Sequence, residues 1–216
     1  MIVITVLTKF EKYKLKNQFK MKKKWITILV IAVLAIFFYS SIKGTYNKMV
    51  MMDEAVVSQW AQVENVYQRR ADLIPNLVAT VKGYAEHEQE TLTGVIEARA
   101  KATSTTIDPT KLNAENIQAF QQAQAGLSSA LSKLMVVVER YPDLKANQNF
   151  LELQAQLEGT ENRITVERQK FNTSAQQYNT YIKQFPKNIY ANIFNFEEKA
   201  YFKAQENAEQ APKVEF

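Results

Sequence analysis

His87 is the only histidine in the 216-residue chain, and it sits among carboxylates in Tyr84-Ala85-Glu86-His87-Glu88-Gln89-Glu90. An imidazole in such company is the raw material of a zinc site or a hydrolytic centre. A zinc-protease helix needs two histidines four apart with a glutamate between them, and the second is missing. Zinc also needs three or four converging protein ligands, and a di-iron bundle needs Glu-x-x-His on two helices. One histidine cannot meet that count. The chain has no cysteine to supply a thiolate, no glycine-rich phosphate loop and no Ser-His-Asp set, and Glu197-Glu198 falls on a polar stretch. The expectation is a non-enzymatic chain with no catalytic, cofactor-binding or metal-ligating residues and no small-molecule substrate. His87 then belongs to a helix-surface charge cluster, and a hydrolase using it is a distant alternative.

A second set of polar residues lies where apolar ones are expected. Thr160, Glu167 and Ser174 fall at regular spacing in an otherwise apolar helical seam, and a buried glutamate is costly unless paired. One reading pairs Glu167 with Arg69 or Arg70 of the first helix, fixing the register of a bundle. The other leaves this part of the seam facing water or a second subunit.

The elements that position these groups read as helices. Five glycines and five prolines in 216 residues are few, against usual shares of roughly 7% and 5%, which favours long helices over loop-rich or all-β folds. From Trp60 the apolar residues recur as Val63, Tyr67, Ile74, Leu77, Val81, Ala85, Leu92 and Val95, with a slip near His87. This predicts one long helix, kinked at Pro75 and stopped by the polar run Thr103 to Thr110. A second helix shows Ile117, Phe120, Gln124, Leu127, Leu131, Leu134, Val138 and Tyr141, and ends at Tyr141-Pro142. A third begins at about Pro142 or Ala146. Its seam runs Phe150, Leu153, Leu157, Thr160, Ile164, Glu167, Phe171, Ser174, Tyr178, Tyr181 and Phe185, before Phe185-Pro186 ends it. Residues 187–204, with five aromatics, should pack on the bundle as a short helix or irregular segment, and 205–216 should be a polar flexible tail. The fold expected is all-α, an elongated antiparallel bundle of three long helices plus a short C-terminal one over 46–204.

Before the bundle, Trp25 to Ile42 carries no charge and follows Lys22, Lys23 and Lys24. A run of this length can span a bilayer as a helix of about 20 residues once its flanks snorkel. Residues 1–24 hold eight lysines and one glutamate, so the net charge of +5 leaves −2 for the remainder, which removes the basic footprint of a nucleic-acid binder. Eight lysines precede the run and only Lys43 and Lys48 closely follow it, which predicts a cytoplasmic N-terminus and an external bundle. No small-residue cleavage pattern follows, so 21–45 is expected to remain as an anchor with Trp25 at its edge. Residues 1–20 read as a basic extension or as a misplaced start ahead of Met21.

Several blocks resemble one family. Arg69 to Val78, Val81 to Glu88, Val95 to Arg99, Leu134 to Asn147, Leu157 to Ile164 and Tyr178 to Pro186 are similar, in order, to motifs of the LemA family. The resemblance implies bacterial origin, one N-terminal membrane helix and an α-helical bundle, with no catalytic site to carry over. That family has been described with a small extracellular N-terminus, from which the lysine distribution here departs. The function expected is a membrane-anchored scaffold or protein-interaction module of the bacterial envelope. Its partners would be the lipid bilayer and a second copy or another membrane protein. An accessory or adaptor subunit of a membrane protease or transporter is the alternative.

Overall fold

A computed structural model describes the backbone of residues 2–203 and the side chains of residues 24–203. The side chains of the N-terminal extension, of Lys22 and of Lys23, and the whole tail 205–216, lie outside the described residues. The described chain is all-α, without a strand. Its helices are α1 (Ile2–Lys82), α2 (Gln89–Ser104), α3 (Ala114–Val138), α4 (Pro142–Lys145), α5 (Gln148–Lys183) and α6 (Lys187–Ile193).

The chain divides into two compact units, Met1–Lys48 and Met49–Phe216. In the first, the apolar part of α1 reaches a mean hydropathy of 2.4 over 18 residues with none of that window buried. Trp25, Leu29, Phe37 and Phe38 all stand exposed. Among the described residues this is the one helix long and apolar enough to cross a membrane.

In the second unit the expected first helix is two helices. α1 ends at Lys82 and α2 starts at Gln89, so the slip near His87 marks a turn. Gly83, a poor helix residue, opens it. Ala85, buried, anchors it by donating from its N–H to the Val81 carbonyl at 2.9 Å. The turn is also clamped to the connection between α3 and α5 at the same end of the bundle. Glu88 accepts from Arg140 at 2.9 Å and from the Tyr141 hydroxyl at 3.1 Å, and Tyr84 accepts from Asn147 at 2.9 Å.

α1 runs through Pro75. Proline has no N–H, so the carbonyl four residues back, that of Ala71, loses its helical donor. Arg99 of α2 replaces it, its Nε lying 2.7 Å from the Ala71 oxygen.

The remaining boundaries follow local chemistry. Asp108 folds the α2–α3 connection by accepting from the Thr110 N–H and hydroxyl at 2.9 and 2.7 Å. Asn113 caps α3 through the Asn116 N–H, and Asn147 caps α5 through that of Phe150. Pro142 occupies the first turn of the one-turn helix α4, where its missing N–H costs nothing.

The seam of α3 is buried as read, save that Leu131 and Tyr141 are half-buried. The seam of α5 drifts. Phe150, Leu157, Thr160, Ile164, Phe171 and Tyr178 are buried, but the inward positions then become Ala175 and Ile182, while Ser174 and Tyr181 sit half-buried and Phe185 is exposed. A strict seven-residue repeat lags a straight helix by about 20° per heptad, so after four repeats the next residue along faces inward.

Beyond α6 an extended segment runs back along the bundle to Lys203, held by side-chain amides acting as a strand edge would. Asn179 donates to the Lys199 carbonyl at 2.8 Å and accepts from its N–H at 2.9 Å. Asn172 does the same to Phe202, at 2.9 and 2.8 Å. The two asparagines are seven helical residues apart and their targets three extended ones apart, both close to 10 Å, so the spacings match. The segment delivers Phe202 into an aromatic cluster, stacked on Trp60 at 5.8 Å between ring centroids, with Phe120 and Phe171 edge-on to Trp60 at 5.2 and 5.6 Å.

Candidate functional site, a polar layer between two cores

The interior of the second unit holds two apolar clusters. One surrounds Trp60, Phe120, Phe171 and Tyr178. The other contains Ile74, Leu77, Leu127, Leu134, Phe150 and Leu157. The two are separated by a polar level to which three helices each contribute a buried residue: Arg70 from α1, Gln124 from α3 and Thr160 from α5. Each is flanked along its own helix by one residue from each cluster, Tyr67 and Ile74, Phe120 and Leu127, Leu157 and Ile164.

Arg70 is the centre of this level, only 2% exposed. Its Nη1 donates to Ser128 Oγ at 3.1 Å and forms an ion pair with Glu161, and its Nη2 donates to the Gln124 side-chain oxygen. The guanidinium carbon stands 5.1 Å from the centre of the Tyr67 ring. Gln124 passes the linkage on, donating to the Ala102 carbonyl at the end of α2 at 3.3 Å. Thr160 returns its hydroxyl to its own helix, at the Gln156 carbonyl, 2.7 Å away.

The ion pair anticipated from the sequence is therefore placed differently. Arg70 meets Glu161, six residues before Glu167, and Arg69 is exposed. Glu167 accepts instead from Lys170 at 2.9 Å and from Gln59 at 2.8 Å, and Lys170 first of all holds its carboxyl below the ordinary range. The cause is angular. Residue 70 looks onto the level that contains Gln124 and Thr160, and the carboxylate beside Thr160 is Glu161. Glu161 is 48% exposed, so the pair joins a buried guanidinium to a hydrated carboxylate, which lowers its desolvation cost.

An open cleft of about 630 Å³ lies over this level between α3 and α5. Buried Tyr67, Arg70, Gln124 and Ile164 form its base, while Gln118, Gln121, Gln122, Ser129 and Ser132 of α3 face Glu161, Thr165 and Arg168 of α5. Such a lining offers hydrogen-bond donors and acceptors around a guanidinium whose Nη1 and Nη2 are engaged and whose buried Nε has no partner.

His87 is exposed on the turn between α1 and α2, and its neighbour Glu88 is engaged by Arg140 and Tyr141. Among the described residues no three histidine, cysteine or carboxylate side chains converge as a metal site. Lys24 and Trp25 stand exposed at the start of the apolar run. Sequence reading flagged Gln124 and Thr160 as seam positions without linking them to Arg70, and it did not single out Ser128 or Glu161. The available signal was that the three polar interruptions interrupt three helices at one level.

The chain matches the model of the LemA family over residues 59–216. It is 27% identical to magnetosome protein MamQ 2 of Paramagnetospirillum magneticum and to magnetosome protein MamQ of Magnetospirillum gryphiswaldense, in each case over 81% of this chain and 71% of the relative. It is 22% identical to protein LemA of Metamycoplasma hominis, over 86% of this chain and 80% of that one. With family motifs in order along an all-α chain and a family match over about three quarters of its length, the chain belongs to the LemA family.

Proposed function

We propose that this protein is a membrane-anchored, non-enzymatic helical interaction module of the bacterial envelope. Residues 21–45 span the cytoplasmic membrane, the N-terminus lies in the cytoplasm and the bundle lies outside. The uncharged run and the eight-to-two lysine bias across it support the anchor and its orientation. The observation that carries the interaction role is the cleft between α3 and α5. It is open along two helices, lined by glutamine, serine and threonine side chains together with Glu161 and Arg168, and built on an arginine whose two terminal nitrogens are both hydrogen-bonded. Those are the properties of a surface that receives a polar segment of another chain.

A photo-crosslinking residue placed at Gln121 or Ser129 in native membranes tests this. Adducts in a ladder of multiples of the protein's own mass identify self-assembly. One heterologous band identifies an adaptor of a membrane protease or transporter. No adduct at either position, with crosslinking from other surfaces intact, rejects the cleft as an interface. A C-terminal reporter active only in the cytoplasm should stay dark, and activity there would reverse the orientation.

A further inference from the structure

The turn after α5 and the outer side of α6 carry apolar side chains that no packing within the unit explains. Phe185 is 82% exposed and Ile193 64%, with Ile189 exposed one helical turn before Ile193. The inner side of α6 is already occupied. Ala191 is buried in the aromatic core and Tyr190 packs against it, so the two isoleucines face away from the only core within reach.

Their position points to an occupant. This end of the unit is where the chain enters it: Met49 shares a core with Tyr178, Ile182 and Ala191, and Asp53 pairs with Lys199 at 2.8 Å. Six residues separate Met49 from Ile42, the last residue of the uncharged run. Whatever their conformation, they span at most about 25 Å. Lys183 and Lys187 flank the patch, Lys183 paired with Glu198 at 2.6 Å and Lys187 lying 3.9 Å from the Tyr181 ring centre. Exposed apolar side chains bordered by lysine and tyrosine are the chemistry of the boundary between headgroups and acyl chains. Three side chains are too few for a protein dimer, which buries about 800 Å² per partner. A surface to which the chain is already tethered needs far less, because the tether raises its effective concentration.

We propose that Phe185, Ile189 and Ile193 seat this end of the bundle in the lipid surface, a second and reversible membrane contact beside the anchor. The inference rests on the reading of residues 25–42 as a bilayer anchor. The chain contains no cysteine, so single labels are straightforward. Full-length protein carrying Ile193→Cys, or Val136→Cys as an exposed control, is labelled with a polarity-sensitive fluorophore and reconstituted into phosphatidylglycerol/phosphatidylethanolamine vesicles with or without lipids spin-labelled near the headgroup. A label at 193 should shift to the blue and be quenched about twofold or more, whereas one at 136 should not change. Adding F185E and I189E to the Ile193→Cys chain, with helicity checked by circular dichroism, should abolish both effects.

Quenching that survives the two glutamates would mean that the tether alone holds residue 193 near lipid, and would overturn the proposal. A blue shift without lipid quenching would assign the patch to a protein and overturn it too. Flotation of the same vesicles after alkaline carbonate tests the anchor separately. If the protein floats and residue 193 is not quenched, only the seating fails. If it does not float, the anchor and the seating fail together.

Discussion

Arg99 Nε donates to the carbonyl oxygen of Ala71 at 2.7 Å, and that oxygen is the acceptor which Pro75 leaves without a helical donor. A backbone defect in α1 is thus repaired by a side chain of α2, on the far side of the turn that contains His87. The proline and the arginine form one device that tells the returning helix where to dock.

Replacing Arg99 by Ala should therefore cost about 1–3 kcal/mol, the penalty for an unsatisfied, partly buried carbonyl. In a Pro75→Ala background the restored N–H at residue 75 can serve Ala71, and most of that cost should disappear. Denaturant titration of the four proteins of this cycle, followed by Trp60 fluorescence in a Trp25→Phe chain, measures the coupling. Strict additivity would show that the two residues act independently.

Removing Arg70 alone should be worse. Arg70→Ala leaves the Gln124 oxygen and Ser128 without their donor and opens a cavity at the join of the two cores, for an expected loss of about 3–5 kcal/mol. Arg70→Met with Gln124→Met should recover much of that loss, since Glu161 is half-exposed and stays hydrated once freed. What the double variant should lose is the level that keeps three helices in step. Broadened methyl spectra in a chain of undiminished melting temperature would show it.

The amide brackets make a local prediction. Asn172→Ala removes both hydrogen bonds to Phe202, and should speed amide exchange at Phe202 while leaving that of α3 near its parent value. Asn172→Asp keeps the acceptor and loses the donor, so its effect should fall between the two. Uniform acceleration through the whole bundle would mean that the segment and the helices open as one unit.

Glu64 gives a pH dependence with a definite sign. Burial holds its carboxyl above the ordinary range, an effect that the Trp60 indole only partly offsets. A carboxyl whose folded pKa exceeds the unfolded one binds its proton more tightly in the native state, so it lowers stability as pH rises through that interval and keeps it lowered above. Glu64→Gln should accordingly raise the melting temperature at pH 7, and the gain should vanish below the unfolded carboxylate range. A gain that persists at low pH would point to a packing effect instead.

His87→Ala should leave both the stability of the bundle and any cellular phenotype of the protein unchanged, because the imidazole is exposed and the turn is held by its neighbours. Glu88→Ala should be the damaging change in that segment. It strips the partner from Arg140 and Tyr141 together.

Helices were legible wherever one face carried the signal. The stripe of α3 was read nearly residue for residue, because six of its eight marked positions are buried, along both cores and the polar level between them. Pro75 was visible as a disturbance, but its repair was not, since nothing local ties residue 99 to residue 71. The slip at His87 was seen and read as continuous helix, for a turn clamped by Arg140 and Asn147 draws its stability from residues more than fifty positions away. The choice of Glu161 over Glu167 likewise turns on how far a helix has rotated by the level of Arg70. Asn172 and Asn179 carry no apolar signal and become meaningful only once an extended segment lies across them.

The stacking of Phe202 on Trp60 also orders events during synthesis. The two residues are 142 positions apart, an interval on the order of ten seconds at ribosomal elongation rates. Through all of it the indole lacks its last neighbour and the aromatic core stays open on one side. The apolar run at residues 25–42 emerges well before that. That run is therefore clear of the ribosome, and available to whatever binds it, while the aromatic core is still unable to close.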